Sequence, residues 1–172
     1  MSKQVPITTR LLAFLWDYIL ISVYICFLVI IFIVARPLLI PLFTLNPLIA
    51  ELSGFLLITL PVYLYFAISE STKLQGSWGK RKMGIAVANL NGNPLSLGKS
   101  LFRSTLKFIP WELAHFTIWH MAIPSNYPSY VIYTLLALVY GLAFIYLLSP
   151  FWSKQRQTLY DRIARTVVIY KK

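Results

Sequence analysis

An arginine and an aspartate stand seven residues apart in a stretch otherwise apolar enough to cross a bilayer: Arg10 and Asp17 in RLLAFLWDYILISVYICFLVIIFIVA, residues 10–35. Seven residues are nearly two helical turns, so both side chains share one face, about 10 Å apart along the axis. Arg10 is close enough to the end of the run to extend its guanidinium to the membrane surface. Asp17 lies deeper, where an ionised carboxylate is costly unless it faces protein and finds a partner. A second set of charges interrupts STLKFIPWELAHFTIWHMAI, with Lys107 near its start and Glu112 about 7–8 Å further along. If both segments run the same way through the membrane, Asp17 and Glu112 sit at similar depth, with Arg10 and Lys107 as counter-charges. The tail sequence YDRIAR can bring Asp161 and Arg162 to the same place. Such a cluster supports two readings. Arg10 and Asp17 form a structural ion pair that fixes helix packing, or the acids titrate and pass protons or monovalent cations.

Other constellations carry less. Glu112 and His115 have the Glu-x-x-His spacing of di-iron helical bundles, but the chain places too few further acids at that depth to complete a site. His120 beside Trp119 reads as a residue of the membrane interface. Gly76, Gly79 and Gly84 lack the spacing of a phosphate-binding loop. No nucleophile elbow and no His-Glu-x-x-His motif occurs. The expectation is a protein without catalytic residues, metal or cofactor.

The elements that would position these charges follow from composition. Of 172 residues, 58% are hydrophobic and 12% charged, too apolar for a soluble domain of this size. The expected fold is an all-α, polytopic transmembrane bundle, a single domain over residues 1–172. Its four spans are at about 11–35, 48–69, 104–123 and 129–152, each near the roughly 20 residues that a bilayer requires. Pro61 should kink the second span. The first run is too long for a signal peptide and lacks a cleavage site. Cys26, the single cysteine, reads as a small hydrophobe. In the loop 70–103, Ile85 and Val87 alternate ahead of Asn91-Gly92, which predicts a small hairpin. Ser96 should cap a short amphipathic helix, LGKSLFRSTLKFI, lying on the membrane surface.

Basic residues outnumber acidic ones by 16 to 5. They gather in residues 70–107, which hold seven, and in the tail after 152, which holds six, whereas residues 36–47 hold one and 122–129 none. Positive-inside counting puts both termini and the 70–103 loop in the cytoplasm, against anionic lipid headgroups. No nucleic-acid-binding module accompanies the positive charge.

These motifs together resemble the RDD family of membrane proteins. TRLLAFLWDYIL matches its opening signature, with Arg10 and the first aspartate, Asp17. LYDRIARTVVI is similar to the closing signature, with Asp161 as the second aspartate and Thr166 in its usual place. SWGKRKMGIAVANLNGNPLSLGKSLFR resembles the central loop through Gly79, Gly84, Gly92 and Arg103. The chain departs from the pattern at Ala164-Arg165, where the family has Ala-Gly. The resemblance implies three or four spans, a bacterial cytoplasmic membrane and no known cofactor. Cation/proton antiport is proposed for some members. The expectation is an accessory protein that binds lipid or a partner membrane protein through a structurally buried charge cluster; the alternative is a cation/proton transporter acting as a homo-oligomer.

Overall fold

A computed structural model describes residues 5–71, 74–124 and 126–171. Lys3, Lys73 and Lys172, which enter the charge count, lie outside them. Helix α1, Ile7–Val34, is 28 residues long and buries only Ala13 and Asp17. Its outward side chains, such as Val23, Phe27 and Ile33, are large, apolar and exposed, as a lipid-facing surface requires. The helix stops at Ala35, and Pro37 starts the short α2, Arg36–Thr44. Asn46 caps α3, Pro47–Ser69, by accepting from the Leu48 N–H at 2.8 Å. After α4, Trp78–Lys82, and the strand β1, Ile85–Asn89, comes α5, Leu97–Ala122. Then follow α6, Ser129–Trp152, the short α7, Leu159–Ile163, and the strand β2, Thr166–Tyr170. Among the described residues three helices, α1, α3 and α6, are long and apolar enough to cross a membrane. The protein is a multi-pass membrane protein.

Three prolines inside these helices share one consequence. A proline has no N–H, so the carbonyl four residues earlier loses its helical partner. Each freed carbonyl is taken by a hydroxyl. Pro61 frees Leu57, whose oxygen accepts from Tyr24 of α1 at 2.5 Å. Pro110 frees Leu106, which accepts from Tyr146 of α6 at 2.7 Å. Pro150 frees Tyr146, which accepts from Ser149 at 3.2 Å. At Pro61 the ladder also widens into a π-helical segment, Phe55–Thr59. Two of the three prolines thus become ties between helices.

Side-chain contacts place α3, α5 and α6 side by side and antiparallel. Tyr63 donates to the Leu101 carbonyl at 3.2 Å, and Trp119 lies against Gly54 further along the same pair. Tyr146 meets Leu106, and Tyr127 meets Phe116. The start of α1, the end of α3, the start of α5 and the end of α6 therefore lie at one end of the bundle.

Three expectations need correction. The fold is not purely helical. Ile85–Asn89 is a strand, but its partner is the tail: it pairs antiparallel with Thr166–Tyr170, Ile85 opposite Tyr170 and Val87 opposite Val168. The turn after it does form, with Gly92 at φ +83 and its N–H bonded to the Asn89 carbonyl at 2.9 Å. The returning chain, however, only bridges back at Pro94 before Ser96 begins α5, so no hairpin is completed. Nor is there a separate surface helix. Residues 97–109 are the first turns of α5, and their polar face is the buried one. Ser100, Arg103 and Ser104 are buried while Leu97 and Phe102 are exposed. The pattern has the predicted period with its faces exchanged, because a buried acid waits for Arg103.

Candidate functional site

At that end of the bundle three carboxylates are buried, each engaged through both oxygens. Asp17, one turn beyond Ala13 on α1, is 1% exposed. Its Oδ1 accepts from the Tyr65 hydroxyl and the Gly79 N–H, each at 2.8 Å, and its Oδ2 from the Ser77 hydroxyl. Glu70, just past the end of α3, accepts from Lys80 Nζ at 2.6 Å through Oε1 and from Arg103 through Oε2. Asp161, on α7, accepts from Arg103 Nε and Nη2, both at 2.7 Å, and from Thr166 Oγ1 at 2.9 Å through Oδ1. Its Oδ2 accepts from Thr158 Oγ1 at 2.8 Å. Lys80 Nζ also lies 3.4 Å from Ser77 Oγ. One polar chain thus runs from Asp17 through Ser77, Lys80, Glu70 and Arg103 to Asp161, joining α1, α3, α4, α5, α7 and β2.

Local sequence explains how each part arrives. Gly79 lets α4 touch α1: a Cβ there would lie 2.0 Å from the Ala13 carbonyl oxygen. Trp16 and Trp78 meet edge to face at 5.6 Å, and Lys82 Nζ sits 3.2 Å from the Trp16 ring centre, closing the same contact. Arg103 can bridge two acids because its planar guanidinium presents donors along two edges. Thr158 caps α7 by accepting from the Asp161 N–H at 3.3 Å, while the Asp161 carboxylate takes the Thr158 hydroxyl proton. Asp161 therefore docks the tail onto this end of the bundle, and Thr158 caps the helix that carries it. Arg165, where the family pattern has glycine, is held at φ +51. That left-handed conformation costs a non-glycine residue about 1 kcal/mol or more. Arg165→Gly is expected to raise stability by about 0.5 kcal/mol, read as a small upward shift in the detergent melting curve; a fall would show that the arginine side chain compensates for its backbone.

Arg10 and Asp17 do not pair. Arg10 donates to the carbonyls of Arg156 at 2.6 Å and Val168 at 3.4 Å, so it holds the tail, while Asp17 turns to α3 and α4. The reason is direction: Asp17 faces α4, and Gly79 and Ser77 supply donors closer than two turns of helix allow Arg10 to come. Glu112 and His115 also stay out of the cluster. Their 3.4 Å contact is local, one turn apart, and Thr59 Oγ1 lies 3.4 Å from His115 Nδ1. Lys107 does face the same space, its ammonium 3.1 Å from the Phe66 ring centre. Asp161 enters the cluster, but its neighbour Arg162 is exposed. Among the described residues no group of three or more His, Cys, Asp or Glu could hold a metal ion. A cavity of about 220 Å³ reaches this region, with Arg10, Asp17, Lys80, Arg103, Lys107 and Asp161 among its walls. Sequence reasoning passed over Tyr65, Glu70, Ser77 and Lys80. Arg103 and Gly79 were visible only through the resemblance of the central loop.

The profile of the RDD family matches residues 5–165, from two residues before α1 to two residues past α7. The chain belongs to the RDD family. The arginine and two aspartates of the family signature are thus parts of two linked assemblies in this RDD protein: Arg10 with the tail carbonyls, Asp17 and Asp161 at opposite ends of the polar chain. Nothing among the curated proteins or the solved structures matches it.

The electrostatics of Glu70, just past the end of α3, give a pH dependence. Burial alone raises its carboxyl, but Arg103 first, then Lys80 and Lys107, outweigh burial and hold it well below the usual carboxylate range, at about 2. Because the folded value lies below the ordinary 4.5, its contribution to stability is complete above about pH 4.5 and is lost as pH falls toward 2. Melting temperature in detergent should fall across that window, and the fall should be shallower in Glu70→Gln. An equal slope in both proteins would show that other groups carry the acid sensitivity.

Proposed function

We propose that this RDD protein is a non-enzymatic accessory protein of a bacterial cytoplasmic membrane, binding anionic lipid headgroups or a partner membrane protein, with the buried charges as a structural lock. Four helices span the bilayer, α5 being the fourth, and both termini and residues 70–103 face the cytoplasm. The observation that carries the reading is saturation: all six oxygens of Asp17, Glu70 and Asp161 are engaged by donors within the fold. A carboxylate that passes a proton or cation needs an oxygen free to exchange, and here each exchange breaks a tie between elements. The 26 residues of α5 are about 39 Å long, enough to cross roughly 30 Å of hydrocarbon, and its polar residues face the lock rather than lipid. The charge asymmetry of the loops supports the orientation.

A second reading, cation or proton transport, is favoured by the cavity of about 220 Å³ that reaches Asp17 and Asp161. A chain of this size would transport as an oligomer, since alternating access rocks one repeat against another. Flux in liposomes separates the two. The expected result is no sodium or proton flux above protein-free vesicles. Asp17→Asn should be folded but weakened by about 1–3 kcal/mol, because the amide cannot accept from all three donors. Flux by the wild type, abolished in an Asp17→Asn protein of wild-type stability, would establish the transporter reading instead.

A further inference from the structure

Lys107 is a cation on this cavity that the lock does not use. Its half-buried ammonium lies on the Phe66 ring and makes no ion pair with any of the three carboxylates, whose oxygens are already engaged. Arg10, on the same cavity, leaves its Nε buried without a hydrogen bond. The cavity is lined by four cations, Arg10, Lys80, Arg103 and Lys107, and two carboxylates, Asp17 and Asp161; even with Glu70, bound to Lys80 and Arg103 behind them, one positive charge is left uncompensated. An unneutralised charge at that depth is costly, and a bound anion removes the cost.

The shape of the cavity says which kind of anion. It lies between α1 and α6, and its apolar walls include Leu11 and Phe14 of α1 and Leu147 of α6. These three side chains are also among the exposed apolar residues of the outer surface. The two helices pack on other elements: α1 on α4 and α2, α6 on α5 and α7. The space therefore has a cationic floor and a greasy mouth between two lipid-facing helices. A soluble anion would gain nothing from the mouth, whereas an amphiphile fits both parts.

We propose that this cavity is a lateral binding site for an anionic phospholipid, whose headgroup phosphate pairs with Lys107 beside Arg10 while an acyl chain lies along Leu11, Phe14 and Leu147. The site rests on the lipid-binding reading above and gives it a place in the fold. It is separate from the basic surface of the loop and tail, which meets headgroups from outside.

The test is thermal unfolding of the full chain in neutral detergent, titrated with phosphatidylglycerol, with phosphatidylcholine, or with inorganic phosphate. Phosphatidylglycerol should raise the wild-type melting temperature, phosphatidylcholine should do so far less, and inorganic phosphate should not. In Lys107→Gln the apparent affinity for phosphatidylglycerol should fall about fivefold or more, the loss expected for one lysine at an anionic headgroup. Without lipid the same variant should melt at or above the wild-type temperature, because an unpaired, half-buried charge is gone. Leu147→Trp, which narrows the mouth and leaves every charge in place, should weaken the lipid effect in the same way, and it keeps the test open if Lys107→Gln does not fold. An equal response of wild type and both variants to phosphatidylglycerol would overturn the cavity site while leaving surface lipid binding intact. A response to inorganic phosphate matching that of the lipid would overturn the amphiphile. No response of the wild type to either lipid would overturn both the site and the lipid-binding reading.

Discussion

Arg103→Met is expected to abolish accumulation of folded protein. The guanidinium neutralises Glu70 and Asp161 at once, and all three side chains are buried. Removing one partner of a buried pair typically costs about 3–5 kcal/mol, because the other charge is left without compensation. Here two carboxylates are stranded, although Lys80 still holds Glu70 Oε1. A loss of that size approaches the whole stability of many domains, about 5–15 kcal/mol. Arg103→Lys should be intermediate: it keeps the charge but cannot span two acids with a planar fork. Replacing all three, Arg103→Met with Glu70→Gln and Asp161→Asn, should recover part of the loss, since no buried carboxylate remains stranded and only Lys80 loses its counter-charge. Detergent-solubilised yield and melting temperature report the outcome. If Arg103→Met melted within about 1 kcal/mol of the wild type, the lock would be ornamental and its conservative variants uninformative.

The second large effect is expected at Gly79, from backbone geometry rather than charge. A methyl group there would sit 2.0 Å from the Ala13 carbonyl oxygen and 2.9 Å from the Asp17 nitrogen, both backbone atoms that cannot rotate away. Gly79→Ala must push α4 off α1. The Gly79 N–H and Ser77 hydroxyl would then leave Asp17, so a steric clash becomes an unsatisfied buried carboxylate. A cost of about 3 kcal/mol or more is expected, with loss of the folded fraction on size-exclusion chromatography. Gly98→Ala is the control. It lies in the first turns of α5, nothing approaches its added Cβ within 4 Å, and it should be neutral or slightly stabilising. A Gly79→Ala protein as stable as Gly98→Ala would mean that α4 does not sit against α1 this closely.

Sequence by itself determined the class of the protein and two of the three buried acids, Asp17 and Asp161, but not Glu70, Ser77 or Lys80 between them. Apolar runs of bilayer length, loop charges of one sign and a full set of family motifs are local quantities. They place three of the four expected spans, the capping serine of α5 and the strand at Ile85 without any knowledge of what packs on what. Pairing is another matter, because it depends on which way a side chain faces and what lies beyond its helix. Arg10 and Asp17 share a helical face by spacing, yet Asp17 finds donors on α3 and α4 and Arg10 finds carbonyls of the tail. The strand at Ile85 has a nearby turn, but β2, far along the chain, offers five paired residues where the returning chain offers one bridge. The amphipathic start of α5 has the right period for a surface helix. Only Glu70 and Asp161, buried on two other elements, turn its polar face inward. The tertiary structure decided these points because a charge in a membrane protein goes where its desolvation is compensated, and the compensating groups are rarely its neighbours in sequence.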